Sequence, residues 1–301
     1  MKRVFQGKRE HSPPEADEFL KQFDKFDDVS VKMAIGFYSP MASDDEIEEM
    51  NEAKIIIQAR TGSTRLPQKM ILPFYENEGI FSLILKRLTS IINKNDIILA
   101  TSTNENNDVL TDIAKEYGVN YFRGSENDVL QRFIDAANEF NAKKIIRVCA
   151  DNPFLDLEFL NFLLDNFKKS DYDYMSFMTS NGTPTIKTHY GFWAEAVTLN
   201  ALKKVKSMTD ENLYHEHVTN FIYANPNDFN IKFFNIPEVI DEHDDIRLTI
   251  DTQIDFDIQK EIFNKIYKIK PDFNAFDVLT FLNENKEYHA IMKNEILKNQ
   301  K

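Results

Sequence analysis

Lys54-Ile55-Ile56-Ile57-Gln58-Ala59-Arg60-Thr61-Gly62-Ser63-Thr64-Arg65-Leu66-Pro67-Gln68-Lys69 decides how the rest of the chain is read. Ile55-Ile56-Ile57 is a short apolar run, as expected of a strand buried on both faces. The chain then passes directly into a loop with the makings of a triphosphate site. Gly62 and small neighbours such as Ala59 let the backbone approach an anion, and Ser63 and Thr64 offer hydroxyl donors. Arg60, Arg65 and Lys69 bring three cations into ten residues. Arginine forks onto phosphate oxygens, and lysine supplies a point charge. Pro67 stiffens the turn that aims Lys69. Gly62 is the loop's only glycine, so neither the P-loop nor the dinucleotide fingerprint fits. Three surface cations on a loop would be the plain alternative. The loop's place directly after a buried strand favours a ligand, because open α/β sheets bind there.

Downstream, short β-rich runs alternate with helical patterns. Candidate strands are Asp96–Ser102, Val119–Phe122, Lys144–Cys149, Tyr172–Phe177, Lys232–Asn235 and Arg247–Ile250. Candidate helices fall near 80–92, 107–117, 127–140, 156–169, 195–206, 211–224, 255–268 and 274–284. Such alternation predicts an α/β fold built on a doubly wound, mostly parallel sheet. It spans residues 54–301 behind an N-terminal appendage and linker, 1–53. Asp151 follows the strand-like Ile145–Cys149, and Asp251 follows Leu248–Ile250 in the same manner. Two carboxylates at strand ends suit Mg2+, which takes oxygen ligands and shares its shell with phosphate and water. Turn-forming aspartates are the alternative. Asp255 reads as a helix N-terminal acid stabilised by the helix dipole. Ser125 with Asp128 three residues on reads as a helix start.

The charge balance narrows the function further. With 36 Lys plus Arg against 49 Asp plus Glu, the net charge is −13. A chain this acidic is a poor general binder of nucleic acid or anionic membrane. No apolar stretch is long enough for a transmembrane helix, and the N-terminus lacks the apolar run of a signal peptide. Cys149 is the single cysteine, which excludes an intrachain disulfide and fits a cytoplasmic protein. We read Cys149 as an inert core residue.

The run IIIQARTGSTRLPQKMIL resembles the opening of the spore-coat polysaccharide cytidylyltransferase family (SpsF type). That family is related to CMP-KDO synthetases and acylneuraminate cytidylyltransferases. The resemblance continues in order through LATSTNENNDVL, FRGSENDVLQRF, IIRVCADNPFLD, HEHVTNFI and IRLTIDTQIDF, covering roughly Lys54 to Lys270. It implies a nucleotide-diphospho-sugar transferase-like fold, CTP as one substrate, a sugar-like small-molecule acceptor, pyrophosphate release and a homodimer. Its catalytic residues would be Arg60, Lys69 and Asp151. Mg2+ would sit on Asp151 and Asp251. Nucleotide contacts would come from Ala59, Arg60, Gly62, Ser63, Arg65, Lys69, Thr101, Ser125 and Asp128. Ser102 and Asp108 are further candidates for the nucleoside.

On the acceptor side, Tyr190-Gly191-Phe192-Trp193-Ala194-Glu195 holds the only tryptophan. Trp193 and Glu195 would supply an aromatic face and a carboxylate for a polyhydroxylated substrate, with ordinary core as the alternative. Glu216 and His217 would lie on the active-site rim or at a subunit contact. His215-Glu216-His217 invites a zinc reading, but residues two apart on a helix do not face each other. One departure stands out: the family has glycine where this chain has Gln68, so a positive φ there would strain the loop. A transferase using another nucleoside triphosphate, or a phosphorylated acceptor, is the alternative within the fold. A non-catalytic nucleotide-binding module is the alternative outside it.

Overall fold

The computed structural model describes residues 53–299. The appendage expected over 1–53 lies outside them, except for Ala53, which opens the first strand. Seven strands form one sheet: β1 (Ala53–Gln58), β2 (Ile97–Ser102), β3 (Asn120–Gly124), β4 (Lys144–Cys149), β5 (Tyr174–Met178), β6 (Glu195–Thr198) and β7 (Ile231–Asn235). Their order is β3-β2-β1-β4-β6-β5-β7. β6 runs antiparallel to both its neighbours, and the other pairings are parallel. The order reverses between β1 and β4, so the loops leaving these two strands flank the crevice where doubly wound sheets hold ligands.

Period-two alternation divides the core. Ile55 and Ile57 face one side with Leu99, Val148 and Phe177, whereas Ile56 faces the other with Ala100, Ile145 and Val197. Each fully buried isoleucine contributes about 1.5–3 kcal/mol. The first face is covered by α1 (Ile80–Thr89), α2 (Asp108–Tyr117), α4 (Leu157–Lys168), α9 (Gln253–Ile269) and α10 (Ala275–Glu284). The second is covered by α3 (Val129–Glu139), α5 (Leu199–Met208) and α7 (Asn220–Ala224). The short helices α6 (Asn212–Glu216) and α8 (Glu238–Asp241), and α11 (Glu287–Lys298), complete the α-helices among the described residues. Asp156 caps α4 through Phe159 N–H at 2.8 Å and also accepts Ala275 N–H at 2.7 Å, docking α10 onto the first helix turn. Burial pushes this carboxyl up to about 6, although the two N–H donors pull it down.

The structure departs from the sequence reading in places. Residues 195–206 do not form one helix: Glu195–Thr198 is β6, and Thr198 caps α5 by accepting Ala201 N–H at 3.1 Å. The 211–224 helix is broken at His217 into α6 and α7. Arg247–Ile250, expected as a strand, joins no ladder among the described residues and bends at Thr249. Leu248 N–H donates to His189 O at 2.7 Å and Ile250 N–H to Asp151 O at 3.2 Å, so loops rather than a strand hold it. Gly191 makes this fit possible: its φ is 73°, and a Cβ would lie 2.6 Å from Leu248 O. Cys149 is half-buried at the end of β4, next to the ligand crevice rather than deep in the core. No helix among the described residues is long and apolar enough to cross a membrane.

Candidate active site

The loop after β1 is folded around Thr61. Ser63 N–H and Gln68 N–H both donate to Thr61 O, at 3.0 and 2.9 Å. Thr61 is itself fixed to the loop after β2, donating its N–H to Asn107 Oδ1 at 2.8 Å and its hydroxyl to Asn106 O at 3.0 Å. Leu66 is buried and pins the far side of the loop. The chain then turns through Gln68, whose φ is 60°. That is the left-handed conformation in which glycine is unstrained and glutamine is not. Gln68 is exposed, so little burial is lost on replacing it by glycine. Gln68→Gly is therefore expected to stabilise the fold by about 0.5–1 kcal/mol, the strain relieved less glycine's extra chain entropy. A higher urea midpoint at unchanged slope checks this; a lower midpoint contradicts it.

Beyond that turn Lys69 points inward. Its side chain is 9% exposed, and its ammonium donates to Asp151 Oδ2 at 3.1 Å and to Ile250 O at 2.5 Å. Arg65 is 58% exposed and reaches Asp251 Oδ1 at 2.8 Å. The two acids are thus brought side by side, with Ile250 N–H bonded to the Asp151 carbonyl. Behind them Arg247 is fully buried. It donates to Asp251 Oδ2 at 3.0 Å and twice to Asp255, at 2.7 and 2.9 Å, and it contacts His189 Nδ1 at 2.5 Å. Asp255 also accepts Thr252 N–H and Asp251 N–H, closing the capping box of α9. Burial raises the Asp255 carboxyl, but the Arg247 hydrogen bonds outweigh it and hold it below the usual carboxylate range. Asp255 is accordingly both the helix-start acid expected from sequence and the group that orients Arg247 toward Asp251. No local pattern marks Arg247 for this role, because its partners come from the turn and helix that follow.

The opposite wall is a polar network tying the loops after β2 and β3. Ser102 accepts Asn107 Nδ2–H at 2.7 Å and donates to Glu126 Oε2 at 3.1 Å. Gly62 faces this wall: a Cβ there would lie 3.6 Å from Glu126 Oε1. Asn107 and Glu126 were not singled out by sequence reasoning. An asparagine and a glutamate in loops carry no signal until the loops meet. Thr101 is fully buried, and its hydroxyl has no hydrogen-bond partner among the described residues. Ser125 Oγ accepts Asp128 N–H at 3.0 Å, and Asp128 caps α3 through Gln131 N–H at 2.8 Å. The second Asp128 oxygen meets Lys206 at 2.5 Å and His215 Nδ1 at 3.1 Å. Asp128 therefore serves the packing of α3, α5 and α6, and the carboxylate expected at the nucleotide is engaged there. Asp108 is likewise engaged, by Arg123 at 2.5 Å. Beneath Ser125, Arg132 is fully buried and donates to Ser125 O; burial, reinforced by neighbouring Arg60, pulls its guanidinium down to about 10. Arg60 lies at the rim, 3.8 Å from Glu216 Oε1. Glu216 is thus on the rim beside the cation loop, and His217 follows it, exposed.

Burial corrects two acceptor-side expectations. Trp193 is 7% exposed and packs among Phe159, Phe177, Tyr190 and Phe192, so its ring belongs to the core. Glu195 is 2% exposed and ion-paired with Arg147, and it accepts the Tyr174 hydroxyl and, at 2.9 Å, the Thr219 hydroxyl. Its carboxylate has no face left for a sugar. The zinc reading also fails: His215 is occupied by Asp128 and by Thr209 O at 3.0 Å, away from His217.

Asp151 and Asp251 are adjacent, partly exposed and offer only carboxylate oxygens, a hard set that suits Mg2+. Lys69 and Arg65 are side chains long enough to turn to an anion instead, while the buried Arg247 keeps Asp251 Oδ2 and leaves Oδ1 for a metal. The residues fit the ion.

Residues 54–295 match the cytidylyltransferase family. The spore coat polysaccharide biosynthesis protein SpsF of Bacillus subtilis is 33% identical over 246 residues, 79% of this chain and 97% of that protein. The structure of a cytidylyltransferase from Leptospira borgpetersenii superposes with a TM-score of 0.70 at 30% identity, covering 81% of this chain and 97% of that one. A CMP:2-keto-3-deoxy-manno-octonic acid synthetase complexed with CTP superposes with a TM-score of 0.54 at 12% identity, over 71% of this chain and 99% of that one, and so shares the fold.

Proposed function

This chain belongs to the cytidylyltransferase family and is a nucleotidyltransferase; from that premise we propose that it transfers the CMP unit of CTP to a sugar-acid acceptor and releases pyrophosphate. The observation that carries this reading is the meeting of Lys69 with Asp151 and of Arg65 with Asp251 in one crevice beside β1 and β4. Cations for a polyphosphate tail and acids for a metal stand side by side there. The SpsF relative's part in spore coat polysaccharide biosynthesis supports a role in building a surface glycan.

Asp151 and Asp251 would hold Mg2+, which when bound adds positive charge beside the triphosphate. The chain's own groups do the rest. Thr61, tied to Asn107, holds the loop in place before substrate arrives, so no reorganisation is needed at the moment of reaction. Arg65, exposed at the rim, exchanges Asp251 for phosphate oxygens, and Arg60 does the same from Glu216. Lys69 supports the charge that grows on departing pyrophosphate. An acceptor oxygen forms its bond to the α-phosphorus as the bond to the β-phosphate oxygen breaks, with no covalent enzyme intermediate. Catalysis is positioning plus electrostatics. Ser102, Ser125 and Glu126 face the nucleoside end.

Offering each nucleoside triphosphate with sugar acids and with phosphorylated small molecules, while pyrophosphate is measured, tests this. Release is expected with CTP and a sugar acid. Turnover with another triphosphate, or only with a phosphorylated acceptor, replaces the reading by its nearest alternative. CTP binding without turnover across the panel rejects it.

A further inference from the structure

A second cluster of ligating side chains lies outside the nucleotide crevice. The loop leading from α8 into Arg247–Asp251 carries His243 and Asp245, and α11 brings His289 against them. His289 Nδ1 is 2.9 Å from Asp245 Oδ2, and His243 Nδ1 is 3.7 Å from Asp245 Oδ1. One ligand atom from each of the three residues lies within 4.8 Å of the other two. The imidazole rings sit 5.7 Å apart at an angle of 33°.

A structural aspartate–histidine pair would align an N–H with a carboxylate oxygen. Here Asp245 Oδ1 and His289 Nδ1 are buried and neither has a hydrogen-bond partner among the described residues, so the 2.9 Å approach lacks the geometry of a hydrogen bond. Buried polar atoms are normally satisfied. Two unsatisfied buried ligand atoms with a third imidazole within 4.8 Å of them are what a cation requires.

We propose that His243, Asp245 and His289 bind a divalent transition metal of the zinc type. Two imidazoles and one carboxylate form a nitrogen-rich set that favours zinc-type ions over magnesium. Three protein ligands and one water complete a tetrahedron. Bonds of about 2.0–2.2 Å place tetrahedral ligand atoms roughly 3.3–3.6 Å apart, close to the 3.7 Å between His243 Nδ1 and Asp245 Oδ1. This site differs in chemistry from the oxygen-only pair Asp151 and Asp251. Its consequence is mechanical: the metal staples α11 to the segment that carries Arg247 and Asp251. That packing already exists without it, through Arg247 N–H on Met292 sulfur at 3.3 Å and Thr252 Oγ1 on Glu295 at 3.4 Å.

The test uses the full chain without a polyhistidine tag, carrying Asp151→Asn and Asp251→Asn so that the crevice cannot compete. Titration with Co2+ is expected to give the visible absorption of a tetrahedral nitrogen–oxygen site at one equivalent. Zn2+ should abolish that absorption and raise the melting temperature, and excess Mg2+ should do neither. His289→Ala and Asp245→Asn should each weaken binding by more than the roughly 10- to 100-fold lost with a mere outer partner. Asp245→Asn keeps the side-chain shape, so it reads out binding even if His289→Ala folds poorly. Stoichiometric Co2+ binding that survives both substitutions overturns the proposal, as does the absence of saturable binding to the parent chain.

Discussion

Asp151→Asn is expected to fold like the parent and to lose roughly 10²- to 10³-fold in turnover, about 3–4 kcal/mol of transition-state stabilisation, by analogy with the loss of one preorganised electrostatic group. The two halves of this expectation rest on different features. Folding survives because asparagine keeps an oxygen for the Lys69 ammonium, now 3.1 Å from Asp151 Oδ2, and because the Asp151 carbonyl that accepts Ile250 N–H is unchanged. Activity falls because the substitution removes the negative charge that faces a metal-bound triphosphate. The loss should therefore appear in kcat at saturating Mg2+, with little change in the urea midpoint. Pyrophosphate release measured beside chemical denaturation separates the two. Near-normal turnover would remove Asp151 from the site.

Arg147→Met is the variant expected to cost most in stability, about 3–5 kcal/mol, because it leaves a buried acid without its counter-charge. Arg147 and Glu195 are 6% and 3% exposed in their side chains and pair directly across β4 and β6. Arg147 also donates to Gln58 at the end of β1, at 3.0 Å, which links the pair to the strand that feeds the phosphate loop. Adding Glu195→Gln to Arg147→Met should recover much of the loss, since a neutral amide still accepts from Tyr174 or Thr219 and no orphan charge remains. Urea unfolding of both singles and the double gives the coupling. A single Arg147→Met within about 1 kcal/mol of the parent would mean that solvent reaches Glu195 and that the pair is not buried as described.

Much of this protein is legible in its residues alone. Ile55-Ile56-Ile57 specifies a strand buried on both faces, because successive side chains point to opposite sides of a sheet and both sides are covered. The cations of the following loop, and an acid directly after β4, could be placed at the ligand end because strand direction fixes which end a loop leaves from. The strain at Gln68 was suggested only by the family resemblance, through the glycine that the family carries there, and its φ of 60° is what the structure added. What sequence did not decide depended on partners far along the chain. Glu195 looks like a substrate ligand until Arg147, 48 residues earlier, is seen to neutralise it. Asn107 means nothing until Thr61 donates to it across 46 positions. His243, Asp245 and His289 become one cluster only when α11 returns to the loop after α8. Alternation and loop chemistry are local and are written in neighbouring residues. Burial and the pairing of charges are set by which distant segments the packed core brings together, and Lys69 on the carbonyl of Ile250, 181 residues away, is decided only there.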